Sequence, residues 1–383
     1  MYSLLCLALL SPALPTHDAA TELLPPGITM EKAFQGWIAV YDGESNYGWK
    51  TDGDVKIEKG ILTLGGEKKA TLSTLSAFGS FELVMNYRVE GVKGGFQFVG
   101  ADGGLASSVV KNSSSTEYED YTLKMPHDKR TGPISIITNP GTTLHIKSII
   151  LKPLGAKSIF NGKDLTGWKE IPGKKSKFSV TSHGELNVKD GNGDLQTTGQ
   201  WDDFILQLDI ISNGDHLNSG IFYRCLPDVF WSGYEAQVRN EWQSTVKLKN
   251  GKSYTSSVTV TGDNVKFSEG RKQITVPKSE VESITDHRDR PIDIGSGGIY
   301  NRCPARKVVS TDREWYTMTV LANGNHHAVW VNGYQTADFT DTKPMNKSAR
   351  AGRKDDAGPL SIQGHDPTTD LNFKNIRIAP LAK

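Results

Sequence analysis

Apolar and polar residues alternate with a period of two along much of this chain. Phe81-Glu82-Leu83-Val84-Met85-Asn86-Tyr87, Phe204-Ile205-Leu206-Gln207-Leu208-Asp209-Ile210 and Trp315-Tyr316-Thr317-Met318-Thr319-Val320 follow this pattern. Successive side chains of an extended strand point to opposite faces, so these runs predict strands, while helical periodicity is scarce. In Val329-Trp330-Val331-Asn332-Gly333-Tyr334 an Asn-Gly pair separates two apolar segments, the signature of a tight hairpin. With 39 Gly and 17 Pro in 383 residues, the pattern predicts an all-β fold of short strands in antiparallel sandwiches.

The pattern repeats. Tyr41-Asp42-Gly43, Gly48-Trp49-Lys50, Gly60-Ile61-Leu62-Thr63 and Gly79-Ser80-Phe81-Glu82-Leu83 correspond to Phe160-Asn161-Gly162, Gly167-Trp168-Lys169, Gly184-Glu185-Leu186-Asn187 and Trp201-Asp202-Asp203-Phe204-Ile205-Leu206. Both halves also end alike, in His145-Ile146-Lys147-Ser148-Ile149-Ile150-Leu151 and Asn372-Phe373-Lys374-Asn375-Ile376-Arg377-Ile378. Two related β-domains are expected, over 34–154 and 157–383. Residues 243–286 interrupt the second with short strands between Asn-Gly, Gly-Asp and Glu-Gly turns, and read as a small β insertion. Its Lys/Glu-rich surface names no protein partner.

Charge excludes some functions. The chain carries 44 Lys+Arg against 43 Asp+Glu, so no polyelectrolyte groove for nucleic acid is expected. The apolar run Leu4 to Leu10 is too short to span a bilayer. Followed by Pro12, Pro15 and Ala19-Ala20, it suits a signal peptide over 1–20, although Met1-Tyr2-Ser3 lacks the usual basic residues. A secreted or periplasmic location is therefore expected. Cleavage would remove Cys6 and leave Cys225 and Cys303, an even pair that suits a disulfide in an oxidising compartment.

Familiar catalytic signatures are absent: no GxSxG elbow, no HExxH, no GxxxxGK[ST] phosphate loop and no GxGxxG after a strand. The E-x-D-x-x-E strand of retaining glucanases is missing as well. Alternation supplies another constellation. Tyr234, Ala236 and Val238 face one way and Glu235, Gln237 and Arg239 the other; Leu360 and Ile362 face inward and Ser361, Gln363 and His365 outward. Beyond Ile221 and Tyr223, Arg224 is expected on the polar side. A carboxylate, amides, a guanidinium and an imidazole together are the inventory of a sugar site, with Glu or His moving protons. Any one of them alone is more often solvent-facing, but they cluster with Trp231, Trp242 and Tyr300, whose rings suit stacking on sugar faces or packing in the core. The adjacent His326 and His327 point to opposite faces and do not read as a metal pair.

These residues carry a resemblance. Phe160-Asn161-Gly162-Lys163-Asp164-Leu165-Thr166-Gly167-Trp168, Asn218-Ser219-Gly220-Ile221-Phe222-Tyr223-Arg224, Tyr234-Glu235-Ala236-Gln237, Gly298-Ile299-Tyr300, Trp330-Val331-Asn332-Gly333 and Leu360-Ser361-Ile362-Gln363-Gly364-His365 resemble the 3-keto-disaccharide hydrolase-like family, in its planctomycete type. The resemblance spans Lys157 to Lys383. It implies a concanavalin-like jelly roll with the polar site on the concave face, and activity on glycosides already oxidised at C3. A C3 ketone acidifies the C2 proton, so a base removes it, the C1 substituent leaves by β-elimination, and water adds to the unsaturated sugar. On this reading Glu235 or His365 is the base and the other the acid or orienter, Arg224 faces the enolate, and Gln237, Gln363, Tyr300, Trp231 and Asn218 hold the sugar. No cofactor is required, although a divalent cation on Glu235 and His365 could polarise the ketone. The alternatives are a carbohydrate-binding protein without turnover and an envelope scaffold. The first half carries Val99 where the second carries Arg224 and has no Glu-x-Gln strand, so it reads as structural or sugar-binding.

Overall fold

The computed structural model describes residues 23–91, 94–100, 105–111, 116–125 and 130–382. The expected leader at 1–20 lies outside the described residues. Among them the fold is nearly all-β, with a five-residue α-helix, Met30–Phe34, capped by the Thr29 side chain. No helix among the described residues is long and apolar enough to cross a membrane.

Residues 38–153 form one sandwich. One sheet runs Val55–Glu58, Ile61–Gly66, Thr142–Pro153, Phe81–Glu90, Glu119–Met125, and the other Trp49–Asp52, Ala70–Thr74, Ser135–Thr138, Gly94–Val99, Leu105–Lys111. Residues 157–380 form a second. Its larger sheet runs Lys177–Val180, Leu186–Lys189, Asp370–Pro380, Phe204–Ser212, Tyr316–Asn323, His326–Val331, Tyr334–Thr340. The facing five-stranded sheet runs Trp168–Glu170, Gly193–Thr197, Ser361–Gly364, Ser219–Tyr223, Tyr234–Val238. The strand order of the five-stranded sheet is the same in both sandwiches. Alternation does what it predicts: Leu195, Ile221, Tyr223, Tyr234, Ala236 and Ile362 enter the core between the sheets, opposite Leu206, Leu208, Met318 and Val320. The Asn332-Gly333 hairpin forms with both residues at positive φ.

The outer face of the larger sheet is apolar where it meets the first sandwich. Ile205, Leu321 and Ala328 lie side by side on three strands and, with Trp330, join the core of residues 38–151. The Trp330 indole N–H donates to Ala39 O at 2.9 Å and sits beside Phe78. Burying this row removes apolar surface from water on both domains, so the sandwiches meet through a hydrophobic seam.

Between Tyr234–Val238 and Tyr300 the chain makes its excursion. Ser244–Leu248, Ser253–Ser256 and Val281–Asp286 form one small sheet, and Thr259–Thr261, Asn264–Glu269 and Lys272–Pro277 another. Val246, Leu248, Val265 and Phe267 give them a core of their own. The excursion closes on itself, because Ser244 pairs with Asp286 and the Ser244 hydroxyl donates to the Asp286 carboxylate at 2.6 Å.

Cys225 and Cys303 are separate free thiols, which corrects the disulfide expectation. Cys225 is buried beneath the backbone of Gly358, whereas Cys303 packs against Asp338 and Tyr47.

Candidate active site

The polar face of the five-stranded sheet floors a cleft of about 390 Å³, within the range of small-ligand sites. Glu235, Gln237, Gln363 and His365 line it, with Asn218, Trp231 and Tyr300. Seven of the eight residues singled out in the sequence therefore share one cavity.

Glu235 lies at the floor, 4% exposed. Its carboxylate reaches sideways across the neighbouring strand, where residue 220 is glycine. A Cβ built at Gly220 would stand 2.7 Å from Glu235 Oε1 and 2.9 Å from its Cγ, so any side chain there would displace the acid. Burial pushes the Glu235 carboxyl up to about 7; the charge and hydrogen bond of Arg350 pull the other way, and Asp194 adds to the rise. The Arg350 Nη2 donates to Glu235 Oε2 at 2.8 Å, and its guanidinium sits 4.6 Å from the Trp231 ring, 5.1 Å from Phe222 and 5.4 Å from Tyr300. This planar cation is wedged between aromatic faces, which fixes its direction.

Asp194 is a second buried acid on the same face. It pairs across the sheet with Gln363 and accepts the Trp231 backbone N–H at 2.7 Å, while its other oxygen is buried without a partner. Burial pushes Asp194 up to about 6, against the pull of that N–H and of Lys174 and Arg350. The bond also holds Trp231 in the left-handed region, φ +54°, so that its ring stands 42% exposed at the rim.

The amides are ordered. Gln237 Nε2 donates to Asn218 Oδ1 at 2.7 Å and to Ser219 O at 3.2 Å. The Gln363 side-chain oxygen is buried with no partner, an acceptor free for a hydroxyl donor. Tyr300 is held by its own backbone N–H, which donates to Glu235 O at 3.0 Å. His365 is exposed, like Trp231, and its Nδ1 lies 2.9 Å from Asp366 Oδ2. Burial raises Asp366, but hydrogen bonds from Thr368 and His365 outweigh it and hold the carboxyl below its usual range.

Arg224 is not in the cleft. Its side chain is fully buried elsewhere: Nε donates to Asp202 O, Nη1 to Lys354 O and Nη2 to Asp203 Oδ1, each at 2.7 Å. The cause is local. Arg224 follows the last residue of its strand at φ +52°, which breaks the two-residue alternation and turns the side chain away. Trp242 is also outside, with the Arg288 guanidinium over its ring and His216 edge-on to it. Arg239, on the polar face as its alternation predicts, lines the cleft and pairs with Glu241, whereas the cation bonded to Glu235 is Arg350, from the irregular loop between Thr340 and Ser361, where no periodicity marks it. Asp194 was within reach of the same logic, since Asp194-Leu195-Gln196 alternates like its neighbours. Among the described residues, no three His, Cys, Asp or Glu side chains gather as a metal site.

Residues 155–379 match the model of the 3-keto-alpha-glucoside-1,2-lyase-like domain. The chain belongs to this family. Similar solved structures include a provisionally assigned glycosyl hydrolase of Parabacteroides distasonis, at 21% identity over 59% of this chain and 94% of that one, with a TM-score of 0.40. A carbohydrate-binding module of family 66 from Bacillus subtilis is 14% identical over 57% and 97%, with a TM-score of 0.33. A Bacillus subtilis protein of unknown function with a galectin-like fold is 8% identical over 60% and 96%, with a TM-score of 0.35. No curated protein matches the chain. Membership makes the second sandwich a carbohydrate-related, hydrolase-like domain.

Proposed function

We propose that the cleft cleaves 3-keto-glycosides by elimination, with Glu235 as the base. The observation that carries this reading is a buried carboxyl raised to about 7 on the floor of a sugar-sized polar cleft, bonded to a fixed guanidinium. A base of that pKa is half ionised near neutrality and strong enough to take a proton acidified by a neighbouring ketone.

Glu235 removes the C2 proton. The electron pair passes through the C2–C3 bond onto the ketone oxygen, and the resulting enolate expels the C1 oxygen as the C1–O bond breaks. His365, oriented by Asp366, delivers a proton to that oxygen. Water then adds across the unsaturated C1–C2 bond to give the free 3-keto sugar. Arg350 stabilises the enolate, in the role the sequence reading gave to Arg224: as Glu235 becomes neutral, the guanidinium loses its counter-charge while negative charge develops on the substrate. Gln363, Gln237 and Asn218 hold hydroxyls, and Trp231 stacks on the ring. A divalent ion would have to compete with Arg350 for the Glu235 carboxylate. The shared strand order supports reading the first sandwich as a degenerate copy without chemistry of its own, and the apolar leader supports export.

Proton NMR in heavy water tests this. With a 3-keto-glucoside, the wild type should wash deuterium into C2 and release the aglycone, and Glu235→Gln should do neither. Ligand-induced shifts without bond cleavage or deuterium uptake would leave a carbohydrate-binding protein.

A further inference from the structure

Beside the cleft lies a second cavity of about 320 Å³, bordered by Tyr300, Asn301, Arg302, Lys343 and Arg350. Tyr300 lines both cavities, and Arg350, which borders the second, donates to Glu235 on the floor of the first, so the two are neighbours across that pair. The second cavity has three cations and no Asp or Glu in its lining. The acids that answer them stand behind it. Asp341, fully buried, is 3.7 Å from Arg302 Nη1, and Glu235 engages Arg350 from the cleft side. Arg302 is braced by the loop, its Nη2 donating to Arg350 O at 3.1 Å and Gly352 O at 2.8 Å. The Lys343 ammonium has no hydrogen bond or ion pair among the described residues, and it is exposed at the mouth. Three cations thus face two carboxylates while Glu235 is ionised, and one carboxylate once Glu235 has taken a proton.

We propose that this second cavity is the leaving-group subsite, and that it selects glycosides whose leaving group carries a carboxylate. The inference rests on reading the cleft as the place where the C1–O bond breaks. The cavity adjoins Arg350, next to the base, so a group attached at C1 extends into it when C2 faces Glu235. Lys343 offers a free ammonium to an anion there, and a fixed guanidinium suits a carboxylate's paired oxygens. A neutral sugar in the same place would leave Lys343 unused.

The test uses the full chain and two 3-keto-glucosides, with para-carboxybenzyl and para-carbamoylbenzyl leaving groups of similar size. Wild type should favour the acid by about tenfold in kcat/KM, the ratio one charge-assisted hydrogen bond supplies. Lys343→Glu should reduce that ratio about tenfold or more, and added salt should reduce it in the wild type. Calorimetric Kd values for the unoxidised glucosides of the same two alcohols, which cannot eliminate, should show the same preference. Cleavage of both substrates with equal efficiency, and a ratio unmoved in Lys343→Glu, would overturn the subsite and leave the elimination intact. Preferential binding of the acid with neither keto-glycoside cleaved would instead overturn the elimination and leave an anion-binding cavity.

Discussion

Replacing Glu235 with Gln keeps the shape of the side chain and removes its titration, which turns the buried carboxyl into a measurable quantity. An acid whose folded pKa is raised holds its proton longer in the folded chain than in the unfolded one. Stability therefore falls as pH rises from the ordinary carboxylate value of 4.5 to about 7, and levels off above. At roughly 1.4 kcal/mol per pH unit, the ionised folded state bears about 3 kcal/mol that a glutamine does not. Unfolding of both proteins in urea, from about pH 5 to about pH 8, should show wild type losing roughly 2.5 kcal/mol relative to Glu235→Gln across that window. The absolute offset also contains the lost bond to Arg350, so the change with pH is the informative part. In the same window kcat/KM of wild type should rise through about pH 7 and then flatten, because the base must be ionised. Parallel stability curves would mean that the carboxyl is not held neutral by burial. A rate that falls through pH 7 would make Glu235 the acid.

Three further outcomes follow from the same geometry. Gly220→Ala sets a methyl against Glu235 Oε1 and Cγ, so it should cost about 1–3 kcal/mol by overpacking and lower kcat about a hundredfold; wild-type kcat at full folding would refute the close approach. Asp194→Asn removes a like charge that helps to raise Glu235, so the acidic limb of the kcat/KM profile should move below pH 7; an unmoved limb refutes the coupling between the two acids. Arg224→Met strips a buried cation from three backbone carbonyls and the Asp203 carboxylate and leaves Asp203 without its counter-ion. Denaturant unfolding should show a loss of about 3–5 kcal/mol with the pH limb of the residual activity in place, and a stable variant that has lost turnover would return Arg224 to the chemistry.

The legible part of this protein is the part governed by the two-residue period. Glu235, Gln237 and Gln363 reach one cleft because each sits on a strand whose opposite face supplies Tyr234, Ala236 and Ile362 to the core, and His365, the residue after Ser361–Gly364, continues that alternation one step further. The same rule failed at Arg224 for a reason visible in the backbone: one residue past the strand, φ turns positive and the side chain leaves the series. Arg350 was illegible for a different reason. Its loop has no period, and it is placed by long-range carbonyl contacts: Gly233 N–H donates to Ala349 O at 2.8 Å, and Arg302 donates to Arg350 O and Gly352 O. The glycine that lets Glu235 lie flat was in plain view at position 220, but its purpose depends on which residue stands across the strand, Gln237 beside Glu235, and pairing register is not written in one strand alone.

The pairing of Ser244 with Asp286 bears on how this protein can change. Because the excursion leaves and rejoins the scaffold at adjacent points, its length is decoupled from the geometry of the sheet that holds Glu235. Lengthening such a segment raises the entropic cost of closing it only logarithmically, and shortening it to a tight turn asks nothing of the strands on either side. It carries a small core of its own, so it can gain or lose surface residues without drawing on the sandwich interior. The segment behaves as a cassette: a site where inheritance, or an engineer, can exchange one module for another while the chemistry next door keeps its alignment.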